Sequence, residues 1–209
     1  MNLLESITLQ SADPTASIEF YRSAFGIDDR IRAAASQAAT TGFRGFALSL
    51  VVSQPGDVDS LVSTALAAGA TAVKPVAKSF WGYGGVVRDP DGAMWKIASS
   101  SKKNTGPTTR EIKEIVLLLG VADVAVTKTF YVDHGLTVAR SFGRKYVEFA
   151  TGPIKLALYG RRAAAKDVGV SPDGAGSHRI VIDGAIGAST DPDGFEWQPR
   201  QRDGVQVAS

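Results

Sequence analysis

This chain of 209 residues carries an internal repeat, and a repeat dictates architecture before any single residue does. "ITLQSADPTASIEFYRSAFGI" (7–27) aligns with "LLLGVADVAVTKTFYVDHGL" (117–136), placing Asp13 on Asp123 and Phe20-Tyr21 on Phe130-Tyr131. Later, "DPDGAMWK" (89–96) returns as "DPDGFEWQ" (191–198). Asp13 and Asp123 stand 110 positions apart, whereas Asp89 and Asp191 stand 102 apart, so the copies differ by small deletions. Residues 1–100 and 111–209 read as two copies, the second trimmed, joined by a polar linker at 101–110 that contains Gly106-Pro107.

Each copy opens on an apolar run, Leu4 to Leu9 and Ile112 to Val121, that reads as a strand. Asp13 and Asp123 follow where a short carboxylate can accept from the orphan amides of a first helical turn. Gly26 and Gly135 fit the helix stops. Further strands are expected at 30–35, 46–52, 86–88 and 95–98, then at 139–142, 146–150, 155–159 and 179–182. A second helix is expected over 57–70, opened by Asp57 and closed by Gly69, whereas 183–190 is too short for its counterpart. The segment 160–177, "GRRAAAKDVGVSPDGAGS", reads as a long loop of the kind that serves as a lid.

The chain has no cysteine, which removes disulfides, thiolate nucleophiles and Cys-ligated metals. A net charge of +2, with cations scattered along the chain, gives no reason to expect nucleic acid. With no basic leader and no run of about 18 apolar residues, a cytoplasmic protein off the membrane is the expectation.

The strand, the Asp-capped helix ending in Phe-Tyr, "FWGYGGVVRDPDGAMWKI" (80–97) and the repetition of the pattern together resemble the vicinal oxygen chelate superfamily. That group holds glyoxalase I, extradiol dioxygenases and bleomycin-resistance proteins. The resemblance spans roughly residues 3–100 and 112–198. It implies an α+β fold, the glyoxalase/bleomycin-resistance/dihydroxybiphenyl dioxygenase fold, in which tandem βαβββ modules form curled mixed sheets around a cavity. On this reading the Asp-Pro-Asp-Gly segments are turns, with Pro fixing φ and Gly taking the positive-φ corner.

Metal-dependent relatives place a ligand on a first strand, seven residues before the capping Asp, which here is Ser6 or Val116. A His on a later strand maps to His178, with Phe46 as its counterpart, and a final Glu maps to Lys96 and Gln198. Serine, valine and a protonated ammonium are poor donors for a divalent ion, so neither metal nor cofactor is expected. What the resemblance leaves is a cavity walled by Phe80, Trp81, Tyr83, Trp95, Tyr146, Phe149, Tyr159, Phe195 and Trp197. Lys96, Phe46, His178 and Gln198 complete the candidate ligand-binding set. Lys96 needs an anion beside it if it faces inward. His178 and Glu148 are the candidate acid–base groups, with Glu148 read as solvated, and His134 reads as a helix-end histidine.

The leading expectation is a metal-independent protein of the bleomycin-resistance kind that binds a small aromatic or amphipathic molecule. Its rivals are a divergent metal-dependent lyase or dioxygenase and a module whose cavity has collapsed. A homodimer is compatible with either.

Overall fold

The computed structural model describes residues 3–27 and 29–199. Its elements in chain order are β1 (Leu4–Ser11), α1 (Pro14–Phe25), β2 (Ile31–Ala35), β3 (Thr40–Gly42), β4 (Phe46–Val52), α2 (Pro55–Ala67), β5 (Thr71–Ser79), β6 (Gly82–Arg88) and β7 (Met94–Ser99). There follow β8 (Ile112–Val121), α3 (Val124–Asp133), β9 (Val138–Ser141), β10 (Tyr146–Phe149), β11 (Ile154–Gly160), α4 (Arg161–Val168), β12 (Gly174–Gly176), β13 (Ile180–Gly184), β14 (Ser189–Thr190) and β15 (Glu196–Gln198).

The caps work as the sequence implies. Asp13 accepts from the Ala16 amide and Asp123 from those of Ala125 and Val126. The second helix departs from expectation at its start: it begins at Pro55, and Asp57 is not its cap. The Asp57 carboxylate instead accepts from the Thr109 and Arg110 amides, while Gln54 Oε1 accepts from Thr105 and Gly106. The inter-copy linker is therefore clasped to α2 by side chains. The segment 160–177, expected as a loop, holds α4 and β12.

Two sheets carry the fold. An eight-stranded sheet runs β5-β6-β7-β4-β8-β11-β10-β9, and a five-stranded sheet runs β14-β15-β13-β1-β2. In the larger sheet β4-α2-β5-β6-β7 is one complete βαβββ module and β8-α3-β9-β10-β11 is another. They join through antiparallel β4 and β8, and each closes on a parallel pair, β4 with β7 and β8 with β11. In the smaller sheet two parallel pairs, β1–β2 and β13–β15, are joined by antiparallel β1 and β13. Each sheet thus draws strands from both sequence copies.

One face of each sheet turns onto helices α1, α2 and α3 to make the main core. Strand alternation decides which residues go there. Leu48 and Leu50, Trp95 and Ile97, Leu117 and Leu119, and Ile180 and Ile182 point inward onto Phe20, Tyr21, Phe25, Leu61 and Tyr131. The far face of the larger sheet meets α4. Ala164, Ala165 and Val168 pack there on Ala47, Leu118 and Ala157. Small side chains let the helix lie close to the strands, and burying Val168 contributes about 1.5–3 kcal/mol. Among the described residues, no helix is long and apolar enough to cross a membrane.

Candidate functional site

The two Asp-Pro-Asp-Gly segments are matching structural clasps. In each, the amide of the first Asp donates to the carbonyl of the residue four positions later, and Gly92 (φ 93°) and Gly194 (φ 88°) take the corner that only glycine adopts without strain. Asp89 accepts from the Ala93 amide at 2.8 Å and the Trp95 indole at 2.9 Å, and Asp191 from the Phe195 amide and the Tyr131 hydroxyl. The second Asp of each turn reaches back to the first helix of its own copy. Asp91 lies 2.5 Å from Ser17 Oγ, and Asp193 lies 2.6 Å from Thr127 Oγ1. Burial pushes the Asp89 carboxyl up to about 6, against its bonds to Trp95 and Ala93, and also raises Asp191. These four acids are anchors.

The positions that the family resemblance implies for metal ligands, Ser6, Val116, Lys96 and Gln198, fall on the far faces of the sheets, in two cross-strand rows. In the smaller sheet Ser6 stands opposite Asp183, and Asp183 beside Gln198. Asp183 is 1% exposed and accepts from Ser6 Oγ (2.9 Å), Thr8 Oγ1 (3.0 Å) and Gln198 Nε2 (2.7 Å). In the larger sheet the row is Lys96, Ser49, Val116 and Lys155. Register places Asp183 beside Gln198 and Ser49 beside Lys96, while Phe46 begins β4 and His178 stands just before β13. One row offers a single carboxylate already engaged by three donors, and the other offers two ammonium groups and a valine. Neither donor set fits a divalent cation. Among the described residues, no three of His, Cys, Asp and Glu cluster as metal ligands.

His178 precedes β13 and is stacked on Phe195 with ring centroids 4.1 Å apart. Its Nδ1 faces the Arg44 carbonyl at 2.5 Å and its Nε2 the Asp193 carbonyl at 3.0 Å, so both nitrogens are spent on backbone. Glu148, expected in solvent, instead accepts from the Tyr146 hydroxyl at 2.8 Å, with its side chain 13% exposed. Burial and then Glu148 push the Tyr146 hydroxyl's pKa upward. Tyr146 in turn packs edge-on to Tyr159. His134 sits at the end of α3 with Nδ1 2.8 Å from the Phe130 carbonyl.

The expected aromatic wall separates into core and rim. Phe46, Trp95, Phe149, Phe195 and Trp197 belong to the main core, because strand alternation turns them toward the helices. Trp95 packs on Tyr21 and Phe25, and Trp197 on Tyr131. Tyr83 leans toward α2, where its hydroxyl donates to Asp59 at 2.7 Å. Phe80 and Trp81 protrude at the β5–β6 turn, 82% and 84% exposed.

Trp81 and Lys96 nonetheless border one common pocket of about 310 Å3, on the far face beside the C-terminal end of α4. Its floor includes Gly84 and Gly85. A side chain at Gly84 would come within 2.8 Å of the Ile97 carbonyl, so the floor is bare backbone. Its charged groups are Lys74, Lys78, Lys96 and Asp167. Lys96 Nζ lies 2.8 Å from each Asp167 oxygen, and Lys74 Nζ donates to the Asp167 carbonyl at 2.9 Å, where a cation suits a helix C-terminus. The sequence reading missed Asp167, Asp183 and Ser49. The clue to Asp183 was an acid ending an apolar strand, "RIVID".

Residues 6–98 match the family model described as a glyoxalase-like domain. A search among curated protein sequences found no match. Among solved structures, the V278E mutant of glyoxalase I from Zea mays is 14% identical, with 95% of this chain and 92% of that chain covered at a TM-score of 0.59. Glyoxalase I from the same plant aligns at 13% identity over 94% and 91%, also at 0.59. A candidate dioxygenase from Bacillus subtilis aligns at 16% identity over 91% and 71%, at 0.54. At such identity these structures speak to fold alone. With two βαβββ modules joined in one sheet and a second sheet built on two parallel strand pairs, the chain has the fold of these glyoxalase structures, and its residues 6–98 match the glyoxalase-like family model.

Proposed function

We propose that this chain is a metal-independent, bleomycin-resistance-like binding protein that holds a small aromatic or amphipathic anion in the pocket of Trp81, Gly84 and Lys96. One observation carries the reading: the position where metal-dependent relatives have an acid is a lysine that faces a pocket edged by an exposed indole. A planar ring can lie on the glycine floor against Trp81 while its carboxylate meets Lys96. At about 310 Å3 the pocket lies at the small end of the ligand-site range, about 300–1,000 Å3. The rival lyase or dioxygenase reading needs a Lewis acid to polarise substrate oxygens, and the two far-face rows offer it poor donors.

Titration with 2-naphthoate, followed by tryptophan fluorescence and thermal melting, tests the proposal. Saturable quenching is expected, because Trp81 is exposed while Trp95 and Trp197 are buried. Neutral 2-naphthol should bind less well, and Trp81→Ala and Lys96→Met should each weaken naphthoate by about tenfold. Stoichiometric stabilisation by Mn, Ni or Zn, or no naphthoate binding, overturns it.

A further inference from the structure

At the other end of α4 from Asp167 opens a wider cleft, of about 1050 Å3, whose rim is cationic. Arg144 and Lys145 reach it from the β9–β10 turn, and Arg161 and Arg162 from the start of α4. One acid, Asp173, shares the lining, and its carboxylate accepts the Ser171 hydroxyl at 2.7 Å. Arg144 lies 3.0 Å from Asp123, which balances its charge. Among the described residues Arg161 meets neutral acceptors alone, the carbonyls of Phe43 (2.6 Å) and Pro172 (2.9 Å), and its guanidinium lies over the Phe43 ring. Its position is fixed while no described carboxylate pairs with its charge. Lys145 and Arg162 are exposed and make no side-chain bond to another described residue.

This arrangement is costly for the protein by itself. Two arginines open a helix whose first turn has no acid and whose cap, Gly160, supplies no side-chain acceptor. Cations at that end work against the helix dipole. Local choices that conflict with stability mark places where a sequence serves another purpose. The floor is mixed: Val121 and Tyr159 give it an apolar side. Burial, then the nearby Asp167, raises the Tyr159 hydroxyl's pKa, so the hydroxyl stays protonated at neutral pH and can donate.

We propose that this cleft binds a small polyanion of the diphosphate class, with the Arg144–Lys145 side taking one phosphoryl group and the Arg161–Arg162 side the other. Two cation pairs on separate segments match two linked anionic groups. Guanidinium forks suit phosphoryl oxygens because two parallel N–H donors meet two acceptors. The site is separate from the Trp81 pocket, since α4 lies between them and the two share no lining residue.

Inorganic pyrophosphate is the probe, titrated calorimetrically and by amide NMR, with citrate as the carboxylate comparison. The expected result is a single saturable site that shifts the Ala122, Gly160 and Ala163 amides and weakens as salt rises from 20 to 200 mM, because exposed charges are screened over about 10 Å at 0.1 M. A Lys145→Glu/Arg162→Glu variant should lose about tenfold or more in affinity. It changes only exposed side chains and sets an acid in the first turn of α4, so its melting temperature should be no lower than the parent's. Lys96→Met should bind pyrophosphate as the parent does, which separates this site from the Trp81 pocket. No saturable binding, unchanged affinity in the double variant, or tighter binding of citrate overturns the proposal.

Discussion

Lys96 and Asp167 lie 71 positions apart in the chain, yet their side chains meet with Nζ 2.8 Å from both carboxylate oxygens. The carboxylate that Lys96 requires on the far face is thus supplied by α4. Both side chains are about a third exposed, at 33% and 31%, so solvent screens the pair. A double-mutant cycle with Lys96→Met and Asp167→Asn should return a coupling of about 0.5–1 kcal/mol. Asp167→Asn should also tighten 2-naphthoate binding, by about threefold, since Lys96 is then free to take the ligand. Unchanged or weaker binding would place the ligand elsewhere.

The two turn-to-helix clasps should behave as equivalent, independent parts. Ser17 holds Asp91 in one copy and Thr127 holds Asp193 in the other. Ser17→Ala and Thr127→Val each remove a donor from a carboxylate and should each cost about 1.5–3 kcal/mol in urea unfolding. Because they anchor different helices, the double variant should cost the sum of the two. A shortfall of more than about 0.5 kcal/mol would show that the clasps communicate.

Asp89 makes stability depend on pH in the direction opposite to most carboxylates. Its folded pKa is raised to about 6 from 3.8, so between those values the folded state binds the proton more tightly than the unfolded chain does. The contribution of Asp89 is fullest below 3.8 and is lost as pH rises through about 6. Asp89→Asn cannot titrate. The stability gap between parent and variant should therefore shrink by about 3 kcal/mol from pH 3.5 to pH 7, at about 1.4 kcal/mol per pKa unit. Denaturant melts across that range check it, and a constant gap would show that folding leaves the Asp89 carboxyl's pKa unraised.

Gln198→Glu probes why the smaller sheet's row is a poor cation site. Gln198 donates to Asp183 at 2.7 Å, and Asp183 is buried. A second carboxylate there replaces a donor with a like charge and should cost about 2–4 kcal/mol at neutral pH. Millimolar Mn or Zn should recover part of that loss in the variant and leave the parent's Tm unchanged. Stabilisation of the parent by the same metals would mean that its row already binds them.

The sequence by itself determined the Asp caps of α1 and α3 and the paired turns, because these rest on local spacing and backbone chemistry, and its resemblance to a known superfamily pointed to the fold. A cap needs only its own helix, and an Asp-Pro-Asp-Gly turn needs only its own few residues. The same local pattern put Lys96 and Gln198 in the places that matter. Tertiary structure decided the rest. Cross-strand register, which no single segment encodes, put Asp183 beside Gln198 and Ser49 beside Lys96. Strand alternation against three helices sent Trp95 and Trp197 into the core rather than to a ligand. The short stretch 161–168 looks like loop because four of its eight residues, Arg161, Arg162, Lys166 and Asp167, are charged. It becomes a helix only because the far face of the larger sheet is there to bury Ala164, Ala165 and Val168, and in doing so it brings Asp167 to Lys96 and splits that face into two clefts.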